Sequence, residues 1–374
     1  MHAPKVPTIS RKPNELLLVG VPGPELDAAT AARLRRLQPG GFILFGRNIV
    51  SAPQLRKLTD DLRDLSATEP IITIDQEGGR VSRLRLIGHE PPNAQQLRQR
   101  GDLGLIADHG RITGELLRLF GFNLDLCPVL DISFDDEADN SLRGRCYGST
   151  VEETITNAEA FRDAMARAGV LSCGKHFPGY TFAGLDPHHE LPRIDRTRAD
   201  LDACELAVFR AFAEKVDSMM IGHAHYPCFE PNTAVPASLS PAVIRDCLIG
   251  ELGFRGLVMT DDLDMGAILN TFGWEETIRR AVHAGNHLIM ICHRLEAAED
   301  ALKTLEAMPA AELDHALTGV AEFKTRLAPP TPFSEDAHRG LDRQVWDLRV
   351  ATLGEELANT RSPEDGKRSP VEVY

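Results

Sequence analysis

The chain has 374 residues, with 41 lysines and arginines against 55 aspartates and glutamates, and a formal net charge of −14. This length suits one large α/β barrel or two ordinary domains. An acidic chain without a lysine- or arginine-rich block is not expected to have nucleic acid or anionic membranes as its main partner. Neither GxGxxG nor GxxxxGK[ST] occurs, so the sequence supports no nucleotide cofactor.

The cysteines and the N-terminal residues favour a cytoplasmic location. Seven cysteines are an odd number without CxxC spacing, and several lie inside apolar segments. We interpret them as small core residues in a reducing compartment, and we expect no disulfide framework and no zinc site. The first residues, MHAPKVP, lack the apolar stretch of a signal peptide. No apolar segment is long enough to cross a bilayer, so we expect no membrane attachment.

Continuous apolar segments recur along the chain and alternate with segments of helical periodicity. Such segments are typical of strands buried on both faces of a parallel sheet. Eight strands are predicted, at 16–20, 42–45, 71–74, 123–131, 169–173, 218–222, 256–260 and 287–292. Helices are predicted at 24–38, 52–66, 102–120, 151–168, 197–215, 240–252 and 274–285, with one more behind the eighth strand. Eight β-then-α units favour the α/β class and a (β/α)8 TIM-type barrel over a doubly wound sheet.

The chain divides into three parts. Residues 1–14 form a polar lead, residues 15–327 a single barrel domain, and residues 328–374 a C-terminal part that begins at the proline-rich APPTPF segment. A helix over about 335–357 is expected to pack outside the barrel, with a dimer contact as the alternative. The charged segment 359–374 is predicted to be disordered. We expect a monomer or a weak dimer.

Titratable side chains follow the third to seventh strands. Active sites of such barrels lie at the carboxyl ends of the strands. Asp75, Arg83 and Arg145 supply one carboxylate and two forked donors, a set typical of hydroxyl and amide recognition in a sugar. Each arginine taken singly suits a surface salt bridge. The side chains in question are Asp75, Arg83, Arg145, Lys175, His176, His223 and Asp261.

The segment GKHFPG and the loop after it place four of the candidate residues close together. Lys175 and His176 are adjacent, so a strand-end twist or a bulge is needed to aim both at a ligand. Asp186 and His188 are two residues apart, and in an extended loop the carboxylate can bond one imidazole nitrogen and raise the pKa of His188 toward neutrality. His188 is then a usable proton donor and acceptor. An ordinary polar surface loop is the alternative.

Asp261 directly continues the seventh apolar segment. A carboxylate held there is suited to act as a nucleophile or as an electrostatic stabiliser. The alternative is helix capping, for which Asp262 and Asp264 are the better placed candidates.

Several motifs occur together in one order. They are ILFGRN, IDQEGGRVSRLR, LCPVLDIS, GRCYG, GKHFPG, LDPHHELP, VPASLSP and LGFRGLVMTDDLDMGAI. This set resembles the bacterial β-N-acetylhexosaminidases of glycoside hydrolase family 3 (NagZ-type) over roughly residues 15–300. The resemblance implies a (β/α)8 barrel and an enzyme that cleaves with retention, without a cofactor, on a small carbohydrate substrate.

The resemblance also implies roles for individual residues. Asp261 becomes the nucleophile that forms a glycosyl-enzyme, and His188, assisted by Asp186, becomes the acid/base in place of a second carboxylate. The positions that hold the terminal N-acetylglucosamine correspond to Asp75, Arg83, Arg145, Lys175 and His176, and His223 matches a histidine at the sixth strand end. A cytoplasmic enzyme of this type implies recycling of cell-wall muropeptides; chito-oligosaccharides and another aryl-like glycoside are the alternative substrates.

The catalytic loop departs from the family pattern. Tyr180-Thr181 stands where the family usually has His-Gly, and Pro187 stands between Asp186 and His188 where it usually has Ser. A proline stiffens a loop thought to swing the acid/base into place, so the rate and the leaving-group preference are expected to change. His189 offers a second imidazole beside His188. A histidine acid/base becomes neutral after protonating the leaving group, which also admits phosphorolysis as a side reaction.

Two other functions compete with this interpretation. A metal-dependent barrel hydrolase is suggested by His223-Ala-His225, although such sites place His-x-His early in the barrel. A non-catalytic or weakly active sugar-binding barrel is suggested by Tyr180 and Pro187, whereas the intact Asp261 favours an enzyme.

Overall fold

Eight parallel strands form a nearly closed barrel in the computed structural model, which describes residues 11–138, 140–182, 191–265, 268 and 272–362. The strands are β1 (Leu17–Gly20), β2 (Gly41–Leu44), β3 (Ile71–Ile74), β4 (Leu124–Asp125), β5 (Leu171–Phe177), β6 (Ser218–Ile221), β7 (Leu257–Thr260) and β8 (Ile289–Ile291). The sheet runs from β1 to β7 in chain order, and β8 pairs with β1. A backbone bridge between Met259 and Leu288 joins β7 to β8. The predicted (β/α)8 barrel is therefore confirmed.

Helices connect the strands and cover the outside of the barrel. Local sequence explains where they begin: Ser51 accepts a hydrogen bond from the Gln54 amide, Gln54 bonds back, and Pro53 stands in the first turn. The helices lie at Ala28–Leu37, Ala52–Leu65, Ala94–Arg100, Leu103–Phe120, Val151–Arg167, Arg198–Ala203, Glu205–Phe212, Ala242–Glu251, Trp274–Ala284, Leu295–Glu306, Ala310–Lys324, Glu335–Leu353 and Glu355–Ala358. None of the described helices has the length and apolarity that crossing a bilayer requires.

Three elements differ from the sequence prediction. The fourth strand is regular only over Leu124–Asp125, and the chain beyond it pairs with β5 through a single bridge from Val129. Pro128 lacks the N–H that a continuing ladder needs. The helix predicted at 197–215 is two helices with a break at Cys204, whose backbone is not helical. The helix after β6, Ala242–Glu251, has π-type hydrogen bonding.

Two elements near the barrel mouth were not predicted. A hairpin of Gln76–Gly78 and Val81–Ser82 follows β3, and the helix Ala94–Arg100 comes after it. Both are too short to produce a periodic apolar pattern. The hairpin matters for function because it brings the residues after β3 back over the strand ends.

The helix Glu335–Leu353 lies outside the barrel, against the helix Leu103–Phe120. The Phe120 ring is 5.2 Å from the His338 ring and 6.0 Å from the Phe333 ring. Further along, buried Arg349 donates to the Glu90 carbonyl at 3.0 Å, and the Ser362 amide donates to the Glu90 carboxylate at 3.0 Å. The first residues of the segment predicted to be disordered are thus bonded to the barrel domain. Residues 363–374 lie outside the described part of the chain.

Candidate active site

A buried cluster of charges occupies the carboxyl ends of β3 and β5. Lys175 Nζ donates to Asp75 Oδ1 at 2.8 Å and lies 2.5 Å from Glu77 Oε1. Arg145 holds the other end of the cluster, since its Nε and a terminal nitrogen donate to the two Glu77 oxygens at 2.7 Å each. Arg83 adds a cation 3.7 Å from Asp75. Lys175 and Asp75 are 100 residues apart in the chain, so only the barrel brings them together.

Three members of this cluster, Glu77, Arg145 and Lys175, keep one another charged. Burial alone would raise the pKa of Glu77, but the cations Arg145 and Lys175 lower it well below its ordinary value. Burial alone would lower the pKa of Lys175, but Asp75 and Glu77 raise it. The pKa of Arg145 is raised in the same way, chiefly by Glu77 against the effect of burial. Fixed, ionised donors and acceptors of this kind are suited to the hydroxyl groups of a sugar.

Asp131 orients His176 at the end of β5. Its Oδ2 accepts from His176 Nδ1 at 2.7 Å and from the His176 amide at 3.1 Å, and its Oδ1 accepts from the Tyr180 amide at 2.6 Å. A carboxylate only accepts, so Nδ1 carries a proton and Nε2 is the nitrogen left to face a ligand. The β5–β6 register shifts between Gly174 and Phe177, so the strand is irregular where Lys175 and His176 lie.

Asp261 follows β7 at the same end of the barrel. Its amide donates to the Ile221 carbonyl at 3.0 Å, and its Oδ1 accepts from the Asp262 amide at 2.8 Å. Burial alone would raise the pKa of Asp261. The nearby imidazoles of His223 and His176 and the Asp262 N–H more than offset burial, and the pKa lies below its ordinary value. Asp261 is therefore an ionised carboxylate near neutral pH, as a nucleophile must be.

His223 is buried beside Asp261 and held at both ring nitrogens. Nδ1 lies 2.8 Å from Ser238 Oγ, and Nε2 lies 2.9 Å from the Asp262 carbonyl oxygen. His225 has a different partner, the Glu230 carbonyl, 2.9 Å from its Nε2. Within the part of the chain that the structure describes, no three His, Cys, Asp or Glu side chains are grouped as metal ligands.

Asp262 and Asp264 connect the β7 end to the β8 end. Asp262 Oδ1 accepts from the Cys292 amide at 3.0 Å. Asp264 Oδ2 accepts from the His293 and Arg294 amides at 3.0 and 3.1 Å. Asp262 Oδ1 also accepts from the Asp264 amide at 3.0 Å. Arg294 is the residue directly before the helix Leu295–Glu306, so Asp264 bonds the backbone at the start of that helix. These bonds hold the loop that begins with Asp261 in place.

The structure brings most of the predicted residues to one end of the barrel. Asp75, Arg83, Arg145 and Lys175 share the charge cluster, and His176 and His223 contribute to the electrostatic environment of Asp261. Asp186 and His188 lie outside the described residues. Tyr180, one of the positions that differ from the family pattern, has a buried side chain, and its ring lies 6.0 Å from that of His176.

Two residues of the site were not singled out from the sequence. Glu77 lies two residues after Asp75, so the alternation of a strand already placed both carboxylates on one side. Asp131 ends the apolar segment CPVL, the same signal that identified Asp261. Their partners, however, are distant in sequence and required the fold.

Comparisons with known proteins show which family the chain belongs to. The model for the glycosyl hydrolase family 3 N-terminal domain matches residues 8–323. A beta-hexosaminidase from Vibrio cholerae serotype O1 is 34% identical over 340 residues, which are 90% of this chain and 96% of the relative. The structure of a family 3 β-N-acetylglucosaminidase from Paenibacillus is similar with a TM-score of 0.84 and 33% identity, over 93% of this chain and 69% of that one.

A second structural relative is similar over almost its whole length. NagZ from Neisseria gonorrhoeae has a TM-score of 0.77 and 27% identity, over 92% of this chain and 99% of that one. The family match spans the barrel and both halves of the charge cluster, and the chain therefore belongs to glycoside hydrolase family 3.

Proposed function

We propose that the enzyme is a retaining exo-β-N-acetylglucosaminidase, which removes terminal N-acetylglucosamine from β-linked glycosides through a covalent glycosyl-enzyme. The observation that carries this proposal is Asp261, a carboxylate kept ionised at the barrel mouth beside a charge cluster suited to sugar hydroxyls. The names of the relatives, beta-hexosaminidase and β-N-acetylglucosaminidase, support the same activity.

The charge cluster prepares the site for the sugar before it binds. Asp75 offers a carboxylate to hydroxyl groups, and Lys175, Arg83 and Arg145 offer N–H donors whose positions are set by their buried partners. Because these groups are already desolvated and oriented, little reorganisation accompanies binding. Glu77 pairs with both Arg145 and Lys175 and so holds these two cations in the site.

The proposed reaction has two steps. His188 donates its proton to the glycosidic oxygen while Asp261 attacks the anomeric carbon, so the leaving group departs as an alcohol and a glycosyl ester forms. Neutral His188 then takes a proton from water, whose oxygen attacks the anomeric carbon and releases Asp261 as a carboxylate. Asp186 orients His188 and stabilises its protonated form.

We further propose that the substrate comes from cell-wall muropeptides in the cytoplasm. The enzyme then separates N-acetylglucosamine from an anhydro-muramyl partner and acts as a monomer or weak dimer. All seven cysteines are free in the structure, which suits a reducing compartment. Chito-oligosaccharides are the competing substrate class, and hydrolysis of a muramyl disaccharide beside diacetylchitobiose distinguishes them.

The decisive experiment compares 4-nitrophenyl N-acetyl-β-glucosaminide with the corresponding β-glucoside, using wild type, Asp261→Asn and His188→Ala. We expect turnover of the first substrate alone and its loss in Asp261→Asn. His188→Ala should lose more activity as the leaving group becomes less acidic, because a good leaving group needs no proton. Binding of N-acetylglucosamine without turnover of either substrate would replace this proposal with a sugar-binding barrel.

A further inference from the structure

Two phenylalanines at the barrel mouth are exposed to solvent and lie against each other. Phe134 and Phe182 are 43% and 44% exposed, and the other phenylalanine, tyrosine and tryptophan side chains in the described part of the chain are less exposed. Their ring centres are 5.0 Å apart with an angle of 26° between the planes. A stacked pair of this kind buries the inner faces and leaves apolar outer surface in water, which is unfavourable unless a ligand covers it.

Arg196 holds the pair in place. Its guanidinium carbon lies 4.6 Å from the Phe182 ring centre and 6.0 Å from that of Phe134. The guanidinium therefore packs on the pair, and 43% of Phe134 and 44% of Phe182 stay exposed. A terminal nitrogen of Arg196 donates to Glu205 Oε2 at 3.2 Å, and Glu205 is buried. Phe134, Phe182 and Arg196 together form a platform. The platform is anchored to the protein interior and is formed before any ligand binds.

The platform is joined to the proposed catalytic residues. Phe134 follows Asp131, the residue that orients His176, and Phe182 follows Tyr180, whose amide bonds the same Asp131. Thr181 Oγ1 donates to the Ile132 carbonyl at 2.6 Å and ties the two loops together. Phe182 is also the last described residue before the loop that contains His188. In the reaction proposed above, His188 of that loop protonates the glycosidic oxygen. The part of the substrate beyond that oxygen is the leaving group, so the phenylalanine pair is placed next to the loop that acts on the leaving group.

We propose that Phe134, Phe182 and Arg196 form the subsite for the first sugar of the leaving group and bind it through the C–H face of its pyranose ring. This inference rests on the function proposed above. A pyranose ring presents a face of C–H groups that is complementary to the negative face of an aromatic ring.

The test compares binding of N-acetylglucosamine with binding of N,N′-diacetylchitobiose by calorimetry, in Asp261→Asn protein so that neither sugar is turned over. Phe182→Ala and Phe134→Ala should each weaken chitobiose binding about threefold to tenfold relative to N-acetylglucosamine binding. Phe182→Tyr keeps an aromatic face and should keep the parental ratio. Leu103→Ala serves as the matched control, because Leu103 is equally exposed but lies at the start of a helix outside the barrel.

The outcomes separate this inference from the proposed function. A selective loss of chitobiose affinity in the two alanine variants, reversed by tyrosine, supports the subsite. Unchanged ratios in both alanine variants, with N-acetylglucosamine still bound, overturn the subsite alone. Binding of neither sugar by the Asp261→Asn parent overturns the proposed function together with the subsite.

Discussion

Replacing Glu77 by glutamine tests whether the buried charge cluster is a balanced unit. Glu77 is 4% exposed and accepts two hydrogen bonds from Arg145 while lying 2.5 Å from Lys175 Nζ. The substitution keeps the shape of the side chain but removes its charge, so two buried cations lose one of their compensating anions. Removing one partner of a buried ion pair costs about 3–5 kcal/mol, because the remaining charge stays desolvated.

The expected size of the effect on thermal stability follows from chain length. With ~2.1 cal/mol/K per residue over 374 residues, the entropy of unfolding is about 0.8 kcal/mol/K, so the Tm should fall by about 4–6 °C. Glu137→Gln is the matched control. Glu137 pairs with Arg143 at 2.8 Å, but its side chain is 80% exposed, and such surface pairs contribute at most about 1 kcal/mol.

The assay is calorimetric unfolding of wild type, both single variants, Lys175→Met and the Glu77→Gln/Lys175→Met double variant at pH 7. Since Glu77→Gln leaves an excess of positive charge, Lys175→Met should cost less in that background than in wild type, with a coupling of about 0.5–3 kcal/mol. If Glu77→Gln lowers the Tm no more than Glu137→Gln does, or the two cluster substitutions are additive, the reasoning about charge balance is refuted.

Three further predictions concern pH, His176 and the β7–β8 connection. Burial alone would raise the pKa of Glu77, but Arg145 and Lys175 hold it below its ordinary 4.5. The stability that ionised Glu77 gives the folded protein is therefore complete above pH 4.5 and is lost as pH falls below it. The Tm difference between wild type and Glu77→Gln should narrow in thermal scans below pH 4.5. A Tm difference that stays constant contradicts this prediction. Asp131→Asn should lower kcat/KM for the 4-nitrophenyl substrate at least tenfold (about 1.4 kcal/mol) with the fold intact by circular dichroism, whereas Asp135→Asn in the same loop should not. Asp264→Ala should lower the free energy of unfolding by denaturant by about 2–3 kcal/mol, because the His293 and Arg294 amides lose their acceptor. Asp300→Ala, at an exposed position, is the control, and an equally small loss in both variants would argue that the Asp264 hydrogen bonds do not hold the β7–β8 connection.

The architecture was largely predictable from the chain itself. A strand with both faces buried needs an apolar residue at nearly every position, and Ile71–Ile74 shows this directly, since the predicted and observed limits agree and all four residues are buried. Prediction failed where local pattern carries little information. The apolar periodicity continues through the helix break at Cys204 and through the π-type hydrogen bonds of Ala242–Glu251, and the short hairpin after β3 has no periodicity to detect.

The position of the titratable residues could also be predicted, because a polar residue that ends an apolar strand lies at the barrel mouth; their catalytic and binding roles stay predictions. That reasoning selected Asp75, Lys175 and Asp261 from the sequence. It did not select Asp131 as the partner of His176, 45 residues away. The amino-acid sequence identifies the polar side chains, but it does not show which of them come within hydrogen-bond distance of one another.

The sequence by itself determined the barrel and the residue types at its mouth, because burial imposes a pattern that repeats locally along the chain. Only the tertiary structure decided the charge balance of the site. Lys175 meets Asp75 across 100 residues and Arg145 meets Glu77 across 68, and the pKa shifts of Glu77, Lys175 and Arg145 follow from those contacts and from burial. The exposed stack of Phe134 and Phe182 likewise exists only because the ends of β4 and β5 are neighbours in space.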